Sequence, residues 1–401
     1  MMAWTSFDET IKKIVDSLTR KSTIEYVGLI ESSGRVLAQD VIAKESLPLF
    51  PTASMDGYAI RYEDLEKGVL KLVSHVPAGT DVSLHVNEGE CIKTFTGSLM
   101  SEGADTLIPI ENVSVKEDKI HINTPVKKGF AVRPVGESYV EGEVLIEKGE
   151  TIGYAQIGVM AGIGMVQIPV FKKPVVAILA TGSEIVDIGQ SLDNPAQIRS
   201  SNHVTLAAIT KENGAIPLLL GIAGDDKELI KSRILEGLQS ADIVVTTGGV
   251  SVGDYDFVKD IIKDMEVETL VEGASIKPGR HIRVVKAGEK YIFALPGFPY
   301  SSSVTFFLYI LPLIKYFLGQ EFTCKKTKAI ITQEYVKRSP FREFTACNLI
   351  NKDGQNYVDL DEKKLGSSAI LNNMLKGAAL LEVPEEIQKL ERGQLVDVIL
   401  L

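Results

Sequence analysis

Between residues 174 and 319, apolar β-branched runs alternate with helical patterns, and that alternation leaves this region few architectures. The runs at 175–179, 215–220, 243–247, 268–271 and 291–295 predict strands. The patterns over 204–212, 227–238, 257–265 and 302–317 predict helices. Strands separated by helices form a parallel sheet covered on both faces. Such a sheet binds ligands beyond the carboxyl ends of its strands.

A chain of 401 residues is too long for one ordinary core, and its flanks have a different character. It opens with a predicted helix in which Ser6 and Glu9 have capping-box spacing and Phe7, Ile11, Ile14, Val15 and Leu18 share a face. A second short helical segment is expected over 26–37, ending near Gly34. Residues 45–140 read as a small β-rich domain, with strands near 68–73, 91–95, 106–110 and 119–122. The stretch 142–152 and a helix over 154–161 are expected to pack back on the first helix, which makes the β-rich domain an insertion. The end of the chain, with strands near 328–333, 347–350, 357–360, 378–383 and 395–400, reads as a β-barrel or sandwich. The predicted fold is thus a multidomain α/β plus β chain. It has a discontinuous helical/β linker domain (1–44 plus 141–173), a β-rich inserted domain (45–140), a central α/β domain with a mostly parallel sheet (174–320) and a C-terminal β-barrel-like domain (325–401).

Composition narrows the function classes. A net charge of −10 argues against a broad nucleic-acid surface. The cysteines, Cys91, Cys324 and Cys347, are far apart, which opposes a zinc site or disulfide framework and fits a reducing, cytoplasmic setting. The N-terminus lacks the basic start and apolar run of a signal peptide, and the most hydrophobic run, 304–314, is too short to span a bilayer. Pro312 and Lys315 interrupt its extension. No histidine has metal-ligand spacing, although His281 beside Arg280 is placed near the site and the others at the surface or in the core.

The chemistry concentrates at the predicted strand ends. The third strand breaks into Gly248, Gly249 and Gly253 and ends on Asp254 and Asp256 before a helix. Glycines at a helix N-terminus let backbone N–H groups approach a phosphate, and two carboxylates at the same place call for a divalent cation. The plainer reading is an N-capped turn with Asp254 as the cap. Thr181-Gly-Ser-Glu184 follows the first strand and Gly224-Asp-Asp226 the second, so Glu184, one of Asp225 or Asp226, and Asp256 should line one cleft. Taken alone, Asp225 and Asp226 read as the N-cap before Lys227. Two carboxylates about 4 Å apart repel by roughly 4 kcal/mol at an effective dielectric of about 20, so the cluster needs cations, shared protons or water. The loop Ser275-Ile-Lys-Pro-Gly-Arg280 brings Lys277 and Arg280 to the same end of the sheet, a pair suited to an oxyanion. The next loop, Leu295-Pro-Gly-Phe-Pro-Tyr-Ser-Ser, is stiffened by Pro296 and Pro299, and Ser301 is expected to cap the following helix. In the β-rich insertion, Ser54 and Asp56 sit in a turn-prone run, and Thr96-Gly-Ser has hydroxyls where a loop could meet an anion.

In this order, Met55-Asp-Gly-Tyr-Ala, Thr96-Gly, Thr181-Gly-Ser-Glu, Gly224-Asp-Asp, Thr247-Gly-Gly-Val-Ser-Val-Gly-Asp-Tyr-Asp, Ile276-Lys-Pro-Gly and Leu295-Pro-Gly-x-Pro resemble the molybdopterin molybdenumtransferase family, which includes the gephyrin E domain. The resemblance covers nearly the whole chain. It implies an elongated four-domain subunit in a homodimer, with a cleft formed by the α/β domain with help from the β-rich domain of the other subunit. It implies molybdenum cofactor synthesis: adenylylated molybdopterin and molybdate are the substrates, Mg²⁺ the cofactor, and AMP is released. The molybdopterin adenylyltransferase and apo-molybdoenzymes are the implied protein partners. Carried over by position, Asp56, Thr96, Glu184, Asp226, Asp256 and Lys277 match functional positions, and Gly248, Gly249, Ser251, Pro296 and Pro299 match the surrounding loops. Asp56, Glu184, Asp256 and Lys277 are the implied catalytic residues; Glu184, Asp225, Asp226 and Asp256 are the metal candidates; Arg280 joins the substrate-binding set. The chain departs from the family pattern at Pro51-Thr-Ala-Ser54, at Arg133-Pro-Val-Gly-Glu-Ser138, at Arg199-Ser-Ser-Asn202, at Arg280 in place of lysine and at Phe298 in place of asparagine. These departures keep open a catalytically weak pterin-binding or scaffold homologue. A tungstate-inserting enzyme is the other alternative.

Overall fold

The computed structural model describes residues 4–19, 21–80, 84–250, 257–265 and 267–401. They form two compact units. One comprises residues up to 27, 34–38 and 169–401; the other comprises 28–33 and 39–168.

The first unit is organised by a six-stranded sheet. In chain order its elements are β1 (Val175–Thr181), α1 (Asn202–Glu212), β2 (Ile216–Ala223), α2 (Lys227–Ser240), β3 (Ile243–Thr247), α3 (Phe257–Lys263), β4 (Glu268–Val271), β5 (Arg283–Ala287) and β6 (Lys290–Leu295). The spatial order is β2-β1-β3-β6-β5-β4. The first four strands are parallel, whereas β5 runs antiparallel to both neighbours. Alternation along each strand sends Ile178, Val245 and Phe293 into one core and Leu179, Val244 and Ile292 into the other. Both faces are therefore apolar, which is why these strands read as unbroken hydrophobic runs.

Three local expectations are corrected. The segment over 26–37 is not helical: Ile24–Gly28 is a strand, followed by turns that reach Gly34 at φ +71°. The opening helix, Phe7–Asp16, is capped by Ser6 but buries Phe7, Thr10 and Ile14, while Val15 is exposed. Ser301 lies inside the helix Pro299–Thr305, whose N-cap is Phe298. That helix continues through a π segment, Phe306–Ile310, into Leu311–Phe317. Pro312 therefore does not end it, because the wider turn accommodates a residue with no N–H to donate.

Beyond the sheet, Arg342–Lys352, Gln355–Asp359, Lys326–Ile331, Leu395–Ile399 and Ala378–Val383 pair in succession and close back on Arg342–Lys352 as a five-stranded barrel. A two-residue strand, Ile276–Lys277, adds to it in parallel, pairing Ile276 with Arg342 and Lys277 with Glu343. The Arg342 guanidinium donates to both carboxylate oxygens of Asp8 at 2.9 and 2.8 Å and to Glu385 at 3.0 Å, while lying over the Phe7 ring. It thus ties the first helix to the barrel.

The second unit carries its own six-stranded sheet, in the order Thr106–Pro109, Gly57–Ile60, Glu90–Thr94, Val69–Val76, Lys119–Ile122, Val113–Lys116. Tyr58, Ile60, Leu70, Cys91, Ile108 and Ile120 form its core. All three cysteines are unpaired, and burial pushes the Cys91 and Cys347 thiols up to about 12. No described helix is long and apolar enough to cross a membrane.

Replacing Arg342 with alanine is expected to lower stability by about 2 kcal/mol, because Glu382 and Glu385 lose a buried donor. A denaturant midpoint equal to the wild-type value would contradict this role.

Candidate functional site

The carboxyl ends of β1, β2, β3 and β6 converge, as a parallel sheet requires. The loops after β1 and β2 are clipped together reciprocally: Ser183 N–H donates to Asp225 Oδ2 at 3.2 Å, and Asp225 N–H donates to Ser183 Oγ at 3.0 Å. Thr181 Oγ1 donates to the Thr247 carbonyl at 3.2 Å, joining β1 to β3. Asn202 Nδ2 donates to the Gly297 carbonyl at 2.7 Å, joining α1 to the loop after β6.

Gly248 is required here by packing. It sits at φ +96°, and a Cβ would lie 2.6 Å from the Thr181 carbonyl oxygen. Its N–H is already given to the Leu295 carbonyl at 3.0 Å. That N–H is thus not available to an anion, and this glycine serves to let two loops touch. Gly182, at φ +136°, leaves room for the Glu184 carboxylate, whose Oε2 would be 2.6 Å from a Cβ there.

Two adjoining clefts open at this end. The first, of about 480 Å³, is lined by Glu184, Asp225, Gly248, Gly249, Asn202 and Pro299 among others. The second, of about 640 Å³, lies toward the barrel and contains Lys277, Arg280, Arg338, Lys364 and one carboxylate, Glu343. His281, Pro296 and Phe298 line both. Among the described residues, charge is unevenly spread across the two: the first is lined by Glu184, Asp225 and Arg199, the second by four cations and Glu343. They separate because Lys277 leaves the sheet to pair with the barrel.

The basic compartment is built from held side chains. Arg280 stacks over the Trp4 and Phe341 rings, 5.4 and 5.6 Å from their centroids. Glu343 is buried and accepts from Tyr335 Oη at 2.7 Å and the Arg338 N–H at 3.1 Å. Burial raises the Tyr335 phenol, which remains a donor at neutral pH.

Asp226 lines neither cleft. Its side chain caps α2 by accepting from the Leu229 N–H at 3.0 Å. Ser251, Asp254 and Asp256 lie outside the described residues. Among the described residues, no three His, Cys, Asp or Glu side chains are grouped closely enough to hold a metal by themselves. Asp56, in the second unit, accepts from both the N–H and the hydroxyl of Thr96 at 2.8 Å. These bonds hold its carboxyl below the usual aspartate range.

Sequence reasoning did not single out Arg338, Glu343, Tyr335 or Lys364. The run Arg338-Ser-Pro-Phe-Arg-Glu343 carried a usable signal, three charges around a proline at the start of a strand. His203, read as a surface or core residue, is buried and hydrogen-bonded through Nδ1 to Ser200 of the acidic cleft.

The chain matches the MoeA N-terminal region (domain I and II) over 5–164, a probable molybdopterin binding domain over 177–316, and the MoeA C-terminal region (domain IV) over 328–401. It is 30% identical to the molybdopterin molybdenumtransferase of Staphylococcus aureus (strain MRSA252), across 98% of this chain and 94% of that protein. It is 33% identical to the Nostoc enzyme of the same name, across 76% and 72%. Two crystal structures of the molybdopterin biosynthesis MoeA protein from Pyrococcus horikoshii superpose with TM-scores of 0.87 and 0.83, at 29% and 30% identity, covering 99% and 100% of each chain.

Burial holds the His203 imidazole below its ordinary value of 6.5, with Asp187 opposing the shift. The unfolded chain therefore binds this proton more readily than the folded one. The resulting stability is complete above about pH 6.5 and is lost as pH falls through that value toward the lower folded one. His203→Gln is expected to flatten the denaturant midpoint between about pH 7 and 5. An unchanged slope would show that another group carries it.

Proposed function

The chain belongs to the molybdopterin molybdenumtransferase family, transferases of molybdenum cofactor biosynthesis, and on that premise we propose that it inserts molybdate into adenylylated molybdopterin and releases AMP. The observation that carries this reading is the pair of adjoining clefts with opposite charge, sharing Pro296, Phe298 and His281. A substrate with a phosphoanhydride and a second, oxyanionic substrate need two such environments side by side.

Glu184 and Asp225 fit Mg²⁺, which commonly takes one or two carboxylates together with substrate phosphate oxygens. Asp256 joins them in this reading by family position. When bound, the ion supplies charge neutralisation at the phosphoanhydride. The remaining work belongs to the chain. The Ser183–Asp225 clip fixes the acidic loop and so limits where the phosphate can sit. Lys277 and Arg280 bind and orient oxyanion oxygens, and Arg280 is pre-set by its two ring contacts. Pro296 and Pro299 keep the intervening loop stiff. Asp56, Thr96, Gly249 and Ser251 are assigned to the site by resemblance, whereas Asp226 serves here through its cap.

The reading is tested by single-turnover release of AMP from adenylylated molybdopterin with Mg²⁺, with and without molybdate. Molybdate-dependent release is expected, and Lys277→Ala should slow it by about 100-fold while leaving the circular dichroism spectrum unchanged. Tight binding without AMP release would support the scaffold alternative. Equal competition from tungstate would support the tungstate-inserting one.

A homodimer is part of the same proposal. Light scattering should give twice the 43.7 kDa chain mass, and a monomer at working concentration would overturn it.

A further inference from the structure

Within the basic cleft, one group works against the expected purpose. Lys277, Arg280, Arg338 and Lys364 line it, yet a carboxylate, Glu343, lies among them with its side chain only 3% exposed. Two hydrogen bonds hold it in place. Oε2 accepts from Tyr335 Oη at 2.7 Å, and Oε1 accepts from the Arg338 N–H at 3.1 Å. Lys277 Nζ lies 3.6 Å from Oε1, close enough for an ion pair but beyond a normal hydrogen bond. The ammonium therefore keeps its donors for the cleft while sitting beside a fixed negative charge. The strand pairing of Lys277 with Glu343 keeps the two side by side.

We infer that Glu343 is a positioning residue and built-in counter-charge, which holds Lys277 and Arg338 at the cleft and limits how tightly the cleft retains an oxyanion. This rests on the reading of the basic cleft as an oxyanion site. A cleft of four cations without this carboxylate would bind its anion more tightly and release it more slowly. Glu343 sets affinity by lowering the potential, and it sets orientation by fixing the Arg338 backbone.

The glutamine variant separates charge from shape. In Glu343→Gln, the amide oxygen can still accept from the Arg338 N–H. The amide NH₂ can donate to Tyr335 Oη, which can turn its own proton to Thr345 Oγ1, 3.0 Å away. Every hydrogen bond is thus replaceable and only the charge is lost.

The experiment is titration calorimetry of the full chain with inorganic molybdate, for wild type, E343Q and E343D. E343Q should bind about tenfold more tightly, the effect of removing a unit charge about 8 Å from a dianion at an effective dielectric of about 60. E343D, which keeps the charge, should stay within about twofold of wild type. In turnover, E343Q should lower KM for molybdate and lower kcat together, whereas simple structural damage raises KM. Should E343Q fail to fold, the comparison of K277Q/E343Q with K277Q must show the same tightening, because the buried charge leaves with its partner. Molybdate affinity that is unchanged or weaker on removing the charge overturns the inference alone. A wild-type chain that binds no molybdate at millimolar concentration overturns the oxyanion reading of the cleft as well.

Discussion

The two-residue pairing of Ile276 and Lys277 with Arg342 and Glu343 is the constraint on which the site depends. Through it, a loop belonging to the α/β sheet becomes a sixth strand of the barrel sheet. Alternation across the pair then sets the chemistry. Arg342 reaches the first helix through Asp8, whereas Glu343 faces Lys277. Without that register, the cations would have no fixed relation to the strand ends that carry Glu184 and Asp225.

The separation of charge into two compartments has a physical reason. Opposite charges crowded into one cavity would pair with each other, and each would lose affinity for an outside ion. Here the loop after β6 stands between them. Two prolines stiffen it, Asn202 ties it down at Gly297, and a half-exposed aromatic, Phe298, faces both sides. Close packing of Gly248 against Thr181 brings the β1 and β3 loops into contact behind it. Glycines here act through contact distance, since the Gly248 N–H is already bonded.

The strands and helices of the α/β sheet were readable in order because burial on both faces produces continuous β-branched runs, and amphipathic helices separate them. β5 (Arg283–Ala287) escaped notice because it follows the charged loop 272–282, which carries Pro278, and turns at once into β6 through Gly288 at φ +64°. The segment after Ile24 misled through helical-looking spacing, although its hydrophobic residues Tyr26 and Ile30 are exposed. The helix over 302–317 was legible across Pro312, and the π segment before that residue is what accommodates it. That Glu184 and Asp225 line one cleft was legible because strand-end loops converge by rule. Arg338 and Glu343 were not, because they reach the cleft from a barrel more than sixty residues away in sequence from Lys277.

By itself, the sequence determined the α/β alternation, the β character of both flanks, the acidic strand-end loops and the ordered motifs that mark the family. These are local properties of side-chain period, turn residues and spacing. Tertiary structure decided which charges share a cavity: it divided the expected cleft in two, placed Glu343 under Lys277 and assigned Asp226 to a helix cap. Those outcomes depend on strand register between distant segments and on burial. Neither is fixed by any short stretch of chain, because a one-residue slip would exchange the faces that Arg342 and Glu343 occupy.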